Sequence, residues 1–169
     1  PPRPGRRHRR RPSAARQRSG TLAAQTPPLE AGDVVFYGMS LGALPTVHLS
    51  KQHVAKAMIL ESPYPSASLF LADSTGTAVP ASYVLSGSYD NLDKLPSVTH
   101  PTLLMHSEGD DFIRIEHSDR LWEVMNEPKC FWRTQNAEHG ISSGIPVTEG
   151  YDVYAEVVRN WLTSQSCPQ

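Results

Sequence analysis

The sequence has few cysteines, no long apolar run and, over its first 29 residues, no acidic side chain. Each absence excludes something. The two cysteines, Cys130 in an apolar context and Cys167 in the tail, form no disulfide framework and no metal-ligand spacing, so a reducing compartment is expected. No window approaches the ~18 apolar residues of a membrane span. The early arginines are followed by the polar SGTLAAQTPPLEAG, which cannot serve as the apolar core of a secretory signal. A cytoplasmic location is expected, although an Arg-rich, acid-free start also loosely suits organelle import.

The missing acid makes the charge uneven. Eight of the 16 basic residues are arginines within the first 18 positions, whereas all 17 acidic residues lie from Glu30 onward. Residues 1–18 therefore carry +8, and residues 19–169, with eight basic against seventeen acidic side chains, carry −9. Six of the fifteen prolines also fall before position 29. A segment so charged and so poor in apolar groups cannot offset its ordering entropy, which predicts a disordered leader over 1–30. RRHRRR could attract phosphates through counterion release. It lacks interleaved aromatics, so nucleic acid is not an expected partner.

From Gly32 the texture changes. DVVFY (33–37), VAKAMILES (54–62), TLLMH (102–106) and CFWRT (130–134) are short apolar runs that predict buried strands. LGALPTVHLSKQ (41–52), IEHSDRLWEVM (115–125) and YDVYAEVVRNWL (151–162) predict helices. The last places Tyr154, Val157, Val158, Trp161 and Leu162 on one face. SLFLAD could open a short helix within an otherwise irregular stretch over 63–98. Strands alternating with helices predict an α/β domain over 31–163, with a mostly parallel sheet of about four strands and a tail at 164–169. The chain is long enough for one such core.

VVFYGMSLGALPTV raises the chemical question, because Gly38-Met39-Ser40-Leu41-Gly42 has the Gly-x-Ser-x-Gly pattern of a nucleophile elbow. The letters alone are weak, since Gly140-Ile141-Ser142-Ser143-Gly144 matches as well. Context separates them. Ser40 follows a strand and precedes a helix, whereas Ser142 lies between polar NAEHG and Ile-Pro. Glycines at 38 and 42 would relieve crowding around a strained serine, and Leu41 N–H would be an oxyanion donor at the helix start.

A serine nucleophile needs a base, and the base an orienting carboxylate. HSEGDDFI begins where TLLMH ends, which puts Asp110 beyond a strand's carboxyl end, with Asp111 as its direct rival. NAEHG begins where CFWRT ends, which puts His139 likewise. Both fall where open α/β sheets place their sites. Of the other histidines, His106 ends a strand and suits a structural role, while His48, His53 and His117 fall on or beside helices. A metal site from His106, Glu108, Asp110 and Asp111 lacks regular spacing, and no cofactor is expected.

YGMSLGALPTVHLS, KAMILESPYPS, YDNLDKLPSVTHPTLLMHSEGDDFIRIEHSDRLWEV and NAEHG together resemble the α/β-hydrolase family of serine hydrolases, over about residues 32–163. The branch they are most similar to is that of small serine-aminopeptidase-like and BEM46-like acyl hydrolases. The resemblance implies Ser40 as nucleophile, Asp110 as acid and His139 as base, acting on a small-molecule or lipid-like acyl substrate. The family usually has glycine where this chain has Ser107, and often where it has Asn136. Met39, Pro63, Tyr64, Leu69, Phe70, Ile113 and Ile141 are candidates for the acyl pocket, with 63–98 as a cap or insert.

Family members also carry about four strands before the elbow strand, and a loop among them supplies a second oxyanion donor. Residues 1–31 contain no strand, so the resemblance is to the C-terminal half of the fold. The strand 33–37 would then be a bare edge open to self-association. Loss of one oxyanion donor typically costs about 10²–10³ in rate. The chain made alone is therefore expected to be poorly soluble or oligomeric, with weak or no hydrolase activity; a purified monomer labelled stoichiometrically at Ser40 by a fluorophosphonate would overturn that expectation.

Overall fold

The computed structural model describes residues 29–70 and 90–168. The expected disorder of the leader and most of the expected cap over 63–98 lie outside the described residues. Contacts divide the chain into two units, 1–30 and 31–169.

Four strands build the second unit: β1 (Val35–Met39), β2 (Ala57–Glu61), β3 (Thr102–Ser107) and β4 (Lys129–Thr134). They lie in sequence order β1-β2-β3-β4, and every pairing is parallel. AMILE of β2 and TLLMHS of β3 are buried along their whole length, as strands covered on both faces must be. Helices α1 (Ala43–Gln52), α2 (Asn91–Lys94), α3 (Glu116–Val124), α4 (Ile145–Thr148) and α5 (Tyr151–Ser164) connect or close the sheet.

Two cores follow from strand alternation. Met58, Leu60 and Leu104 point to one face and pack with Ala43, Val47, Leu95, Leu121 and Met125. Ile59, Leu103, Met105, Cys130 and Trp132 point to the other and meet Ile145, Val157 and Trp161. Burying a large apolar side chain contributes about 1.5–3 kcal/mol, so α5 is held chiefly by Val157 and Trp161. Tyr154, Val158 and Leu162 pack around them. The insert is closed at its base, where Asn91 Nδ2 donates to Tyr64 O at 3.1 Å and Asn91 N to Pro65 O at 2.7 Å.

The first strand differs in position from its expectation over 33–37. Residues Ala31–Asp33 form a 3-10 turn, and the strand runs on through Gly38 to Met39. Proximity to α1 explains the extension. Thr46 Oγ1 donates to Tyr37 O at 3.1 Å, drawing the helix against the strand. A Cβ on Gly38 would lie 2.5 Å from Thr46 Oγ1 and 2.6 Å from Gly42 O. Pro45 falls in the first turn of α1, where its fixed φ suits a helix start.

The cysteines also differ from expectation. Cys130 and Cys167 are disulfide-bonded, with Cα atoms 5.6 Å apart and a sequence separation of 37. Trp161 packs in the same core as Cys130, and this docking of α5 returns the tail to β4. Disulfides persist in oxidising compartments, so the cysteines give no support to a reducing one. No helix among the described residues is long and apolar enough to cross a membrane.

Crowding at Gly38 contrasts with open space around Gly42, which has helical φ −62° and no atom within 4 Å of an added Cβ. The expectation that both glycines relieve crowding therefore holds for Gly38 alone. Gly38→Ala should lower stability by about 1–3 kcal/mol through overpacking against backbone. Gly42→Ala should leave the urea midpoint unchanged or raise it slightly. Equal midpoints for Gly38→Ala and the unaltered chain would contradict this account.

Candidate active site

β1 turns sharply at its carboxyl end into a 3-10 segment, Ser40–Gly42, that continues into α1. Ser40 is held at φ 53°, in the left-handed region that non-glycine residues rarely occupy. Such strain persists only where surrounding structure imposes it. Here the imposing contact is the close fit of α1 on β1 at Gly38. The turn leaves Ser40 half-buried at the sheet's edge, at the start of a helical run whose first N–H groups lack intrahelical acceptors. Leu41 follows in that first turn and is 65% exposed.

Ser40 meets a histidine from the other side of the sheet. Its Oγ is 3.0 Å from His139 Nε2, across 99 residues of sequence. On the ring's other side, His139 Nδ1 is 2.9 Å from Asp110 Oδ2 and 3.1 Å from Oδ1. An ionised carboxylate can only accept, so Nδ1 carries a proton, and in the neutral ring Nε2 presents its lone pair to the serine hydroxyl. That is the tautomer a general base toward Ser40 needs. Phe112 packs tilted against the imidazole, with centroids 5.1 Å apart.

Asp110 is more enclosed than its position in a loop would indicate, at 7% exposure. Its Oδ1 accepts from Ile113 N at 2.7 Å and Phe112 N at 3.1 Å, closing a tight Asx turn. His106, wholly buried, stands 3.3 Å from Oδ2 through Nε2. The same nitrogen is 2.8 Å from Ile113 O, a carbonyl that can only accept, so Nε2 is protonated. Ser118 Oγ lies 2.6 Å from the opposite nitrogen. Burial by itself pushes the Asp110 carboxyl up. Hydrogen bonds from His106, Ile113 N, His139 and Phe112 N outweigh it and hold the group well below the usual carboxylate range.

The loops that carry acid and base are tied together. Ser107 Oγ accepts from Gly109 N at 3.1 Å and from Ala137 N at 3.0 Å. Asp111, the rival acid, is exposed and receives the backbone N–H of His139 at 3.1 Å rather than its ring. Ser142 lies in a turn among 141–143, off any strand end.

The candidate pocket residues are scattered. Met39 and Ile141 line a cavity beside the site. Tyr64 and Ile113 are buried with Leu44, and Phe70 packs against them. Pro63 is buried and Leu69 half-buried. Phe70 stacks on Tyr64 at 4.7 Å and meets Phe112 edge-on at 5.4 Å, which links this cluster to His139. Sequence reasoning missed Phe112, and it missed Glu61 and Tyr154, which border the same region. Only the glutamate that ends β2, a carboxylate closing an otherwise apolar strand, could have flagged this position.

No family model matches the sequence. A relative from Xenopus tropicalis, alpha/beta hydrolase domain-containing protein 17B, is 28% identical over 78% of this chain and 42% of its own length. The uncharacterized protein YfhR of Escherichia coli O157:H7 is 30% identical over 80% of this chain and 47% of its own. Among solved structures, the monoacylglycerol lipase of Paleococcus ferrophilus superposes with a TM-score of 0.56 at 17% identity, covering 90% of this chain and 75% of that one. The esterase domain of a Rhodothermus marinus protein gives 0.51 at 21%, covering 74% and 57%. The chain is thus similar to proteins of the α/β-hydrolase family. It spans less than half the length of these two curated relatives. Its four parallel strands and flanking helices are the portion of the α/β-hydrolase fold that it shares with these proteins.

The depressed Asp110 pKa has a stability consequence. A carboxyl whose folded value lies below its unfolded value, near about 4, stabilises fully above that pH. The contribution is lost as pH falls through the folded value. Asp110→Asn should thus be less stable than the unaltered chain by about 1–3 kcal/mol near neutral pH. That gap should shrink in urea titrations run below about pH 3. A gap independent of pH would contradict the assignment.

Proposed function

We propose that this chain carries the chemistry of a serine acyl hydrolase, cleaving an ester, thioester or small amide through an acyl-enzyme. The observation that carries the proposal is the hydrogen-bonded series Ser40 Oγ, His139 Nε2, His139 Nδ1, Asp110, with Ser40 strained at a strand-to-helix turn. Structural neighbours with esterase or lipase in their names agree with the reaction class.

In this mechanism Ser40 Oγ attacks the substrate carbonyl carbon while His139 Nε2 accepts its proton. Leu41 N–H donates to the oxyanion of the tetrahedral adduct. Collapse of the adduct breaks the bond to the leaving group, which departs with the proton from His139. Water then attacks the acyl-serine, with His139 again as base, and releases the carboxylic acid and free Ser40. Asp110 keeps the imidazole in its reactive tautomer and stabilises the cation that forms transiently. Met39 and Ile141 line a neighbouring cavity, and Phe112, itself packed on Phe70, sets an apolar ring against the imidazole.

One observation favours a second reading, an interaction module of reduced activity. Among the described residues β1 pairs only with β2, so its other edge offers unpaired backbone groups to another chain. Fluorophosphonate labelling with intact-mass detection, on fractions separated by size, discriminates the two. The hydrolase reading expects an adduct on Ser40, slow if the oxyanion site is incomplete, absent in Ser40→Ala and slowed by about 10³ or more in His139→Ala. No adduct on the unaltered chain, or equal labelling of Ser40→Ala, would overturn it.

A further inference from the structure

Val35, Tyr37 and Met39 of β1 alternate toward the face that α5 covers, as do Ile59 and Glu61 of β2. At the carboxyl ends of these strands the apolar core gives way to Glu61, 3% exposed. Its Oε2 accepts from Tyr37 Oη at 2.7 Å and from Tyr154 Oη at 2.8 Å. Both donors are neutral. Burial, with the nearby Glu61 carboxylate adding to it, raises both phenols well above the usual tyrosine range. The carboxylate is therefore hydrogen-bonded without any neutralising charge among these partners, an arrangement that is costly in an enclosed site.

Glu61 also borders a cavity of about 160 Å³, together with Tyr37, Met39, Gly140, Ile141, Pro146 and Tyr151. Met39 directly precedes Ser40, and Gly140 directly follows His139, so the cavity is lined by the chain neighbours of both proposed reacting groups. A cavity of about 150 Å³ accommodates a group as large as benzene. It is thus wide enough for an amino group with its Cα and a small side chain. An aliphatic acyl chain placed there would cover the carboxylate and leave its charge uncompensated. An ammonium carries three donors and a positive charge, and the tyrosine walls suit a cation.

We propose that this cavity is an ammonium subsite, so that the favoured acyl groups are small aminoacyl groups with a free amine. The substrate preference rests on the reading of Ser40 as nucleophile; the binding site does not. Selectivity would come from both signs of the interaction: Glu61 attracts a protonated amine and is left buried beside an uncharged acyl group.

Binding is best read without turnover. Alaninamide and N-acetylalaninamide, alike but for the charge on nitrogen, would be titrated into the full chain while the Tyr37 and Tyr154 ring resonances are followed by NMR. The expected result is saturable binding of alaninamide and at least about ten-fold weaker binding of the acetylated compound. Glu61→Gln keeps an acceptor for both phenols and removes the charge. It should weaken alaninamide by at least about ten-fold with its melting temperature little changed. Equal affinities for the two compounds, no binding of alaninamide, or a folded Glu61→Gln that binds it undiminished would each overturn the subsite. Should Glu61→Gln not fold, the two-compound comparison on the unaltered chain decides alone. Loss of Ser40 labelling with alaninamide binding intact would count against the hydrolase chemistry and not against this site.

Discussion

The close approach of α1 to β1, permitted by the missing side chain at Gly38 and drawn tight by the Thr46 hydroxyl on the Tyr37 carbonyl, is the contact from which the site's geometry follows. It sets how abruptly the chain must turn between strand and helix. The abruptness puts Ser40 at positive φ and lifts its hydroxyl off the end of the sheet. Parallel pairing does the rest. With β1, β2, β3 and β4 all running the same way, the segments after them emerge at one edge. Asp110 and His139 follow β3 and β4 there, and a serine 99 residues from its histidine becomes its hydrogen-bond partner.

The two buried carboxylates at this edge are solvated in different ways. Asp110 is met by two backbone N–H groups and two imidazoles, one of which belongs to the wholly buried His106. That much donation makes ionisation favourable despite burial and holds the acid in one orientation toward His139. Glu61 is met by two phenols and borders a cavity. The first arrangement is closed around its charge; the second has room for a counter-charge from outside. This contrast agrees with the orienting role proposed for Asp110 and the binding role proposed for Glu61.

Strands and helices were readable in the sequence because their apolar periods are unambiguous: buried β2 and β3 are continuous apolar runs, and α5 shows its inward face at helical spacing. Boundaries were less readable. β1 lies two residues beyond its expected span because its end is set by α1 rather than by the propensities of Asp33 and Val34. The short helices at 91–94 and 145–148 carry too few residues to show a period. Pairing of Cys130 with Cys167 was invisible, since it depends on where the docking of Trp161 returns the tail. Pocket candidates chosen for apolarity divided, with Tyr64 and Ile113 joining the core and Met39 and Ile141 reaching the cavity.

By itself the sequence determined the order of the strands and longer helices, the parallel α/β class, and the candidate elbow, acid and histidine at the ends of three strands. These are local matters, set by apolar period, turn chemistry and the place of a polar group just past an apolar run. Only the tertiary structure decided which acid faces the imidazole, Asp110 rather than its neighbour Asp111. It alone showed that His106 backs that acid, that Gly38 and not Gly42 is sterically crowded, and that buried Glu61 is bonded by two tyrosines beside a cavity. Each of these depends on distances between groups far apart in sequence, which are set when two packed faces close on one sheet.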